Sequence, residues 1–172
     1  NISPTKTIVI GYCVGVATAM AVAEIVESRG SKLGALVLVA TAPPDLSEAQ
    51  PIEDYWAGTS DEALLAYLSE LGLSITEEAP SELLLDYRSD ARRYRQYFIE
   101  RISKETSKLS VDTTIILGGE DPVTPDPQEC FKRWSDYVFV TKEDVRIVEG
   151  AGHYLLAERP ERIAEILAPI LM

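Results

Sequence analysis

The sequence of 172 residues has no apolar stretch approaching the roughly 20 residues needed to span a bilayer. Residues 1–6 also lack the basic-then-apolar pattern of a signal peptide. Cysteine is scarce: Cys13 and Cys130 provide neither a disulfide framework nor a zinc-binding spacing. We therefore expect a cytoplasmic protein without a membrane partner, in which a free thiol stays reduced.

Positive charge is also in short supply. The 16 Lys and Arg residues are outnumbered by 28 Asp and Glu residues, which gives a net charge of −12. A surface this acidic repels nucleic-acid phosphates and anionic lipids, so we expect neither as a partner. Histidine occurs only once, and we expect no metal and no bound cofactor.

Apolar runs typical of buried strands alternate with helical patterns at both ends of the chain. Four strands are predicted, at residues 7–10, 35–40, 113–117 and 144–148. Helices are predicted after the first, third and fourth strands, at residues 16–28, 127–136 and 160–171. The first strand, helix and second strand form a βαβ unit, so we expect an α/β fold with a mostly parallel sheet.

The middle of the chain, residues 46–108, differs from both ends. It contains Leu-rich helical patterns at residues 61–71 and 81–103 and no convincing strand. We therefore expect a helical insertion in the α/β fold, placed like a lid, and not a separate domain.

The sequence Gly11-Tyr12-Cys13-Val14-Gly15 lies between the first predicted strand and its helix. On such a turn the central residue adopts a strained backbone conformation and exposes its side chain at the C-terminal edge of the sheet. Side chains at the two flanking positions would strike the neighbouring helix and strand, which accounts for the glycines. Backbone N–H groups at the start of the helix, including that of Val14, can donate to an oxyanion. Cys13 is therefore a candidate nucleophile; the alternative is a buried cysteine between two chance glycines.

The single histidine, His153, follows the last predicted strand, where a loop can bring a base to a nucleophile at the sheet edge. Asp121 follows the preceding strand and is the acid expected to orient the imidazole. The order Cys13, Asp121, His153 matches the nucleophile–acid–histidine order of α/β-hydrolases. Asp45 is the competing acid, and a turn-forming role before Pro122 is the structural alternative for Asp121.

Several segments resemble the thioesterases that serve nonribosomal-peptide and polyketide assembly lines. Residues 115–125, Ile-Ile-Leu-Gly-Gly-Glu-Asp-Pro-Val-Thr-Pro, are similar to the segment that carries the triad aspartate of those enzymes. Residues 149–156, Glu-Gly-Ala-Gly-His-Tyr-Leu-Leu, resemble their histidine loop, and residues 83–90 with Tyr94 resemble their lid and the helix behind it. The resemblance implies a partial α/β-hydrolase domain over residues 1–172, with residues 46–108 as the lid.

The resemblance also implies an activity. Such a hydrolase or acyltransferase would release, cyclise or edit an acyl or peptidyl chain held as a thioester on the phosphopantetheine of a carrier protein. Cys13 would attack the thioester, while Asp121 and His153 would move the protons. Six residues are candidates for the acyl pocket, although such side chains at helical spacing are more often simple core: Tyr12, Tyr55, Trp56, Leu64, Tyr67 and Leu68.

Two features depart from the family pattern. Cys13 stands where most members have serine; it would keep the acyl group activated for ring closure, and it also resembles the Gly-Tyr-Cys turn of dienelactone hydrolases, the alternative enzyme class. Only six residues precede the first predicted strand. The strands that supply a second oxyanion donor are therefore expected in an N-terminal remainder of the domain or in a complementing chain. A hydrolase-derived interaction module without activity is the non-enzymatic alternative.

Overall fold

The computed structural model describes residues 3–45, 58–73 and 81–171. Its strands are β1 (Ile8–Tyr12), β2 (Ala35–Val39), β3 (Thr113–Gly118) and β4 (Val145–Val148). They form one sheet in the order β1-β2-β3-β4, and every neighbouring pair is parallel. The predicted α/β fold with a parallel sheet is thus confirmed, with each strand end within two residues of its predicted position.

Helices flank the strands and fill the middle of the chain. They are α1 (Val16–Ser28), α2 (Asp61–Glu70), α3 (Ser81–Ser103), α4 (Pro127–Ser135), α5 (Leu155–Glu158) and α6 (Pro160–Leu167). The sequence predicted all of them except α5, whose four residues are too short to show helical periodicity. The final helix ends earlier than predicted and continues as a 3₁₀ turn, Ala168–Ile170, because Pro169 has no N–H to extend the α-helical pattern.

The sheet is covered on both faces, and β2 is buried along its whole length. Leu36 and Leu38 point into a core built with α1, α3 and α4, whose largest side chains are Met20, Phe98 and Trp134. Val37 and Val39 point to the opposite face, where they join Leu155 and Ile163. Because a central parallel strand must bury both faces, its sequence is a continuous apolar run without polar alternation.

The described part of the predicted lid, residues 58–73 and 81–108, consists mainly of α2 and α3 and contains no strand. Helix α2 is capped at its N-terminus by Ser60, whose side chain accepts a hydrogen bond from the Ala63 N–H. Helix α3 is tied to α1 by an ion pair between the buried Arg101 and Glu24. Helix α3 is therefore anchored to the α/β core, and α2 packs against α3.

The outer edge of β1 is unpaired in the described part of the chain, since β1 forms ladders with β2 only. Ile10 in the middle of this strand is 48% exposed. Val22 and Ile25 on α1 are also exposed apolar side chains. An apolar edge strand of this kind is a pairing surface, which natural proteins normally cover.

Candidate active site

The parallel register brings the ends of the strands together at one edge of the sheet. Tyr12 of β1 pairs with Val39 of β2, Val39 pairs with Ile116 of β3, and Gly118 pairs with Val148 of β4. The segments that follow β1, β3 and β4 carry Cys13, Asp121 and His153. The fold thus places all three predicted catalytic residues at the same edge.

Cys13 lies on a sharp turn between β1 and α1. Its φ of 51° is in the left-handed region, which is uncommon for a residue other than glycine and is associated with functional sites. Residues Cys13–Gly15 form a 3₁₀ turn that leads directly into α1. The backbone therefore has the strained strand-turn-helix conformation predicted from the sequence, and the Cys13 side chain is partly exposed.

The two glycines of this turn have different roles. A Cβ on Gly11 would lie 2.6 Å from the Val16 Cα and 2.8 Å from the Ala19 Cβ, so only glycine lets β1 approach α1 this closely. At Gly15 no heavy atom of the described residues lies within 4 Å of the Cβ position, and its φ of −64° is helical. The expectation that both glycines avoid a steric clash is therefore correct for Gly11 and wrong for Gly15.

Asp121 holds the imidazole of His153. The Nδ1–H donates to the carboxylate, at 3.1 Å from Oδ1 and 3.0 Å from Oδ2. Both side chains are essentially inaccessible to solvent. Since Nδ1 faces the carboxylate, Nε2 is the nitrogen left for proton transfer.

The Asp121 carboxylate is itself fixed by its neighbours. The Val123 N–H donates to Oδ1 at 2.9 Å, and the Thr124 hydroxyl donates to Oδ2 at 3.2 Å. These bonds form a turn of the type proposed as the structural alternative for this residue. Asp121 therefore both closes its own turn and orients the histidine, and the two interpretations are compatible.

The aspartate and histidine loops are joined through their backbones. The Gly119 N–H donates to the Val148 carbonyl, and the Glu120 N–H donates to the Ala151 carbonyl, both at 2.9 Å. A Cβ on Gly118 would lie 2.6 Å from the Ala151 carbonyl oxygen. Glycine at 118 therefore lets the histidine loop lie directly against the end of β3.

Tyr12 holds the histidine loop through a hydrogen bond to its backbone. Its hydroxyl donates to the His153 carbonyl oxygen at 2.6 Å, and its ring centroid lies 5.8 Å from that of the imidazole. Burial, with the nearby Cys13, raises the pKa of Tyr12, so the hydroxyl keeps its proton and acts as a donor. Tyr12 is not among the described residues that line the cavity; it was expected in the acyl pocket, and it contacts the base instead.

The electrostatic environment favours a protonated His153. Burial lowers the pKa of the imidazole, but hydrogen bonds and charge interactions with Asp121 and Cys13 outweigh it and raise the pKa to about 9. The ring is therefore hydrogen-bonded to the carboxylate and lies within electrostatic range of the Cys13 side chain. This arrangement is suited to proton transfer between a sulfur and a histidine.

A cavity of about 360 Å³ opens beside the sulfur of Cys13. Its walls come from the Cys13–Val14 turn, the segment after β2, and helices α2, α3 and α4. The described lining residues are Cys13, Val14, Thr41, Ala42, Pro44, Asp45, Tyr67, Tyr87, Ala91, Tyr94, Arg95, Val123 and Arg133. This volume is at the lower end of the range for small-molecule sites, about 300–1,000 Å³.

The predicted pocket residues have different positions. Tyr67 lines the cavity, whereas Leu64 and Leu68 are buried in a cluster with Leu71 and Leu84 between α2 and α3. For those two leucines, simple core is the correct interpretation. Tyr55 and Trp56 lie outside the described residues.

The competing acid Asp45 is exposed at the cavity wall, while Asp121 holds Nδ1 of the imidazole. The sequence interpretation missed Tyr94, Arg95 and Arg133 as cavity residues. Nothing in the local pattern distinguishes them, because helix periodicity does not show which residues face a cavity.

The described ranges contain no group of three or more His, Cys, Asp or Glu side chains placed to hold a metal ion. Likewise, none of the helices in these ranges is both long enough and apolar enough to cross a membrane.

Residues 7–171 match the thioesterase domain family. The chain belongs to this family. No curated protein sequence matches the chain.

Three solved structures illustrate the likeness. Human thioesterase 2 aligns with 95% of the chain at 21% identity and a TM-score of 0.64. BorB, a type II thioesterase from the borrelidin biosynthetic cluster, aligns with 96% at 25% identity and a TM-score of 0.62. ClbQ, from the colibactin NRPS/PKS pathway, aligns with 95% at 16% identity and a TM-score of 0.64. The chain spans 72%, 65% and 67% of these proteins, and its fold is that of the α/β-hydrolases.

Proposed function

We propose that this thioesterase-family chain carries the catalytic residues of an enzyme that cleaves acyl thioesters, with Cys13 as nucleophile, His153 as base and acid, and Asp121 as the orienting carboxylate. One observation carries the proposal. Cys13 sits at positive φ on a strand-to-helix turn, opens into a cavity and interacts with a histidine held by a buried aspartate.

The protonation of His153 supports this assignment. With a pKa of about 9, the imidazole is protonated near neutral pH. The same imidazolium can donate its Nε2 proton to the leaving thiol.

The reaction has two steps. In the first, the Cys13 sulfur attacks the thioester carbonyl, the C–S bond to the carrier breaks, and the departing thiolate takes the Nε2 proton. This leaves an acyl group on Cys13 and a neutral His153. In the second, His153 removes a proton from water, which attacks the new thioester and releases a carboxylic acid, returning the thiolate and imidazolium.

The oxyanion formed in each step needs hydrogen-bond donors. The Val14 N–H follows the nucleophile at the start of the helix, where such a donor is expected. A second donor, worth about 10²–10³ in rate, would come from residues that pair with the open edge of β1. The exposed Ile10 on this edge supports a covering segment, either an N-terminal part of the same domain or a complementing chain.

The substrate is an acyl or peptidyl group on the phosphopantetheine of a carrier protein. Support for this class comes from the likeness to BorB and ClbQ, which belong to a biosynthetic cluster and an NRPS/PKS pathway. The family match disfavours a dienelactone hydrolase or a general carboxylic-ester hydrolase. Because an acyl-cysteine stays activated, the enzyme can serve release by ring closure as well as hydrolytic editing.

Steady-state hydrolysis tests the proposal. Turnover of acyl-pantetheine thioesters by the full-length protein should fall to background in Cys13→Ala and in His153→Ala. Cys130→Ala is the matched control, because Cys130 is the other free cysteine, lies buried in α4 and is not among the described residues that line the cavity. Full activity in Cys13→Ala, or equal losses in both cysteine variants, would refute the assignment. A wild-type thiol that reacts with iodoacetamide like an ordinary cysteine would favour a non-catalytic interaction module.

A further inference from the structure

The described lining of the cavity beside Cys13 has a net positive charge, although the chain as a whole is strongly acidic. Among its described lining residues, the charged ones are Arg95, Arg133 and Asp45. They sum to one positive charge, in a chain with a net charge of −12. An alkyl chain needs no cation in its binding pocket, so this lining indicates a negatively charged group in the ligand.

Arg133 on α4 is the cation best placed to bind that group. Its Nη1 donates to the Pro43 carbonyl at 2.8 Å, yet it forms no ion pair with any carboxylate in the described residues. Its buried Nε also lacks a hydrogen-bond partner there. By contrast, the inward-facing Arg88 and Arg101 each have an acidic partner.

Tyr94 indicates how near Arg133 lies to the nucleophile. Burial raises the pKa of the Tyr94 hydroxyl, the hydrogen bond with Thr41 lowers it, Cys13 raises it and Arg133 lowers it. The hydroxyl is thus within electrostatic range of both Cys13 and Arg133. Cys13, Tyr94 and Arg133 all line the same cavity, so a ligand whose thioester carbonyl lies at Cys13 shares that cavity with the guanidinium.

We propose that Arg133 binds an anionic group of the acyl-thioester substrate. This inference rests on the proposed function, since it takes Cys13 as the acylated residue. A guanidinium pairs bidentately with either a carboxylate or a phosphate. The anion is therefore a carboxylate at the end of a short acyl chain or the phosphate of the pantetheine arm.

Equilibrium binding separates these two sources without depending on turnover. The probes are the S-butyryl and S-succinyl thioesters of pantetheine and of phosphopantetheine, which differ by one carboxylate, one phosphate or both. Their dissociation constants are measured by calorimetry with the full-length Cys13→Ala protein, with and without Arg133→Gln. Glutamine keeps an N–H donor for the Pro43 carbonyl but removes the charge. Lys132→Gln, one residue away and exposed, is the control.

Arg133→Gln should weaken binding of the recognised anionic probe by about 10- to 100-fold and leave butyryl-pantetheine nearly unchanged. If only the succinyl probes lose affinity, the anion bound by Arg133 is the acyl carboxylate. If only the phosphorylated probes lose affinity, it is the phosphate of the pantetheine arm. Equal losses for all four probes, no loss for any, or no measurable binding of an anionic probe would overturn the inference. Hydrolysis of butyryl-pantetheine by wild-type protein tests the proposed function separately.

Discussion

Gly11 and Gly15 flank Cys13 symmetrically in the sequence, yet the structure predicts opposite effects for alanine at the two positions. A methyl group at position 11 would lie within 3 Å of both the Val16 Cα and the Ala19 Cβ, whereas a methyl group at position 15 would meet no heavy atom within 4 Å in the described part of the chain. Gly11→Ala must therefore push β1 and α1 apart. Gly15→Ala fits the existing helical backbone, so its main effect is to lower the conformational entropy of the unfolded chain.

The expected magnitudes follow from these contacts. Overpacking costs about 1–3 kcal/mol, and Gly11→Ala should be near the upper value because its contacts are backbone and Cβ atoms that cannot rotate away. Replacing glycine by alanine at a position with a compatible backbone raises the free energy of unfolding by about 0.4–1 kcal/mol. One kcal/mol shifts the Tm of a domain this size by about 2–4 °C. We therefore expect Gly11→Ala to lower the Tm by about 6–12 °C and Gly15→Ala to raise it by about 1–4 °C.

Thermal unfolding followed by circular dichroism measures both variants against wild type, and urea unfolding provides the free energies. The two variants serve as each other's control, because they make the same chemical change two residues either side of Cys13. Destabilisation of similar size in both would contradict the account of this turn. So would a Gly11→Ala protein with wild-type stability.

Three further predictions concern the histidine. Tyr12→Phe removes the hydrogen bond to the His153 carbonyl and should lower kcat several-fold with KM unchanged; a change in KM alone would instead indicate a pocket role. Asp121→Asn should lower the pKa of His153 from about 9 and reduce kcat by at least about 10²-fold, measured as a pH–rate profile; an unshifted profile would contradict the role of Asp121. Because folding raises the pKa of His153 from 6.5 to about 9, the protonated ring stabilises the fold fully below pH 6.5. That contribution should be lost as the pH rises through 9 in urea unfolding and be absent from His153→Gln; equal pH dependence in both proteins would contradict it.

The strands and longer helices could be predicted because burial dictates their sequence patterns. Strand β2, buried on both faces, is a continuous apolar run, and α1 begins and ends where its periodicity does. It could also be predicted that Cys13, Asp121 and His153 meet at one edge of the sheet, since each follows a strand and parallel strands align their carboxyl ends. These features depend on local periodicity and on topology alone.

Other features depend on which residues meet across the fold, and a single sequence does not specify that. Tyr12 reaches the His153 carbonyl from 141 positions away, and Arg133 faces the cavity only because α4 packs beside the segment after β2. Leu64, Tyr67 and Leu68 share one face of α2, but Leu64 and Leu68 are buried in the cluster between α2 and α3, whereas Tyr67 packs against that cluster and also lines the cavity. Helical spacing therefore predicted the helix and failed to predict which residue of that face reaches the cavity.

Trapping of the acyl-enzyme is the most direct test of Cys13 as nucleophile. The full-length protein is mixed with an acyl-phosphopantetheine thioester, quenched in acid within the first turnover and mapped by peptide mass spectrometry. The account predicts an added acyl mass on the peptide that contains Cys13, unchanged in Cys130→Ala and absent from Cys13→Ala. An adduct on any other residue, or turnover that continues in Cys13→Ala, would contradict it.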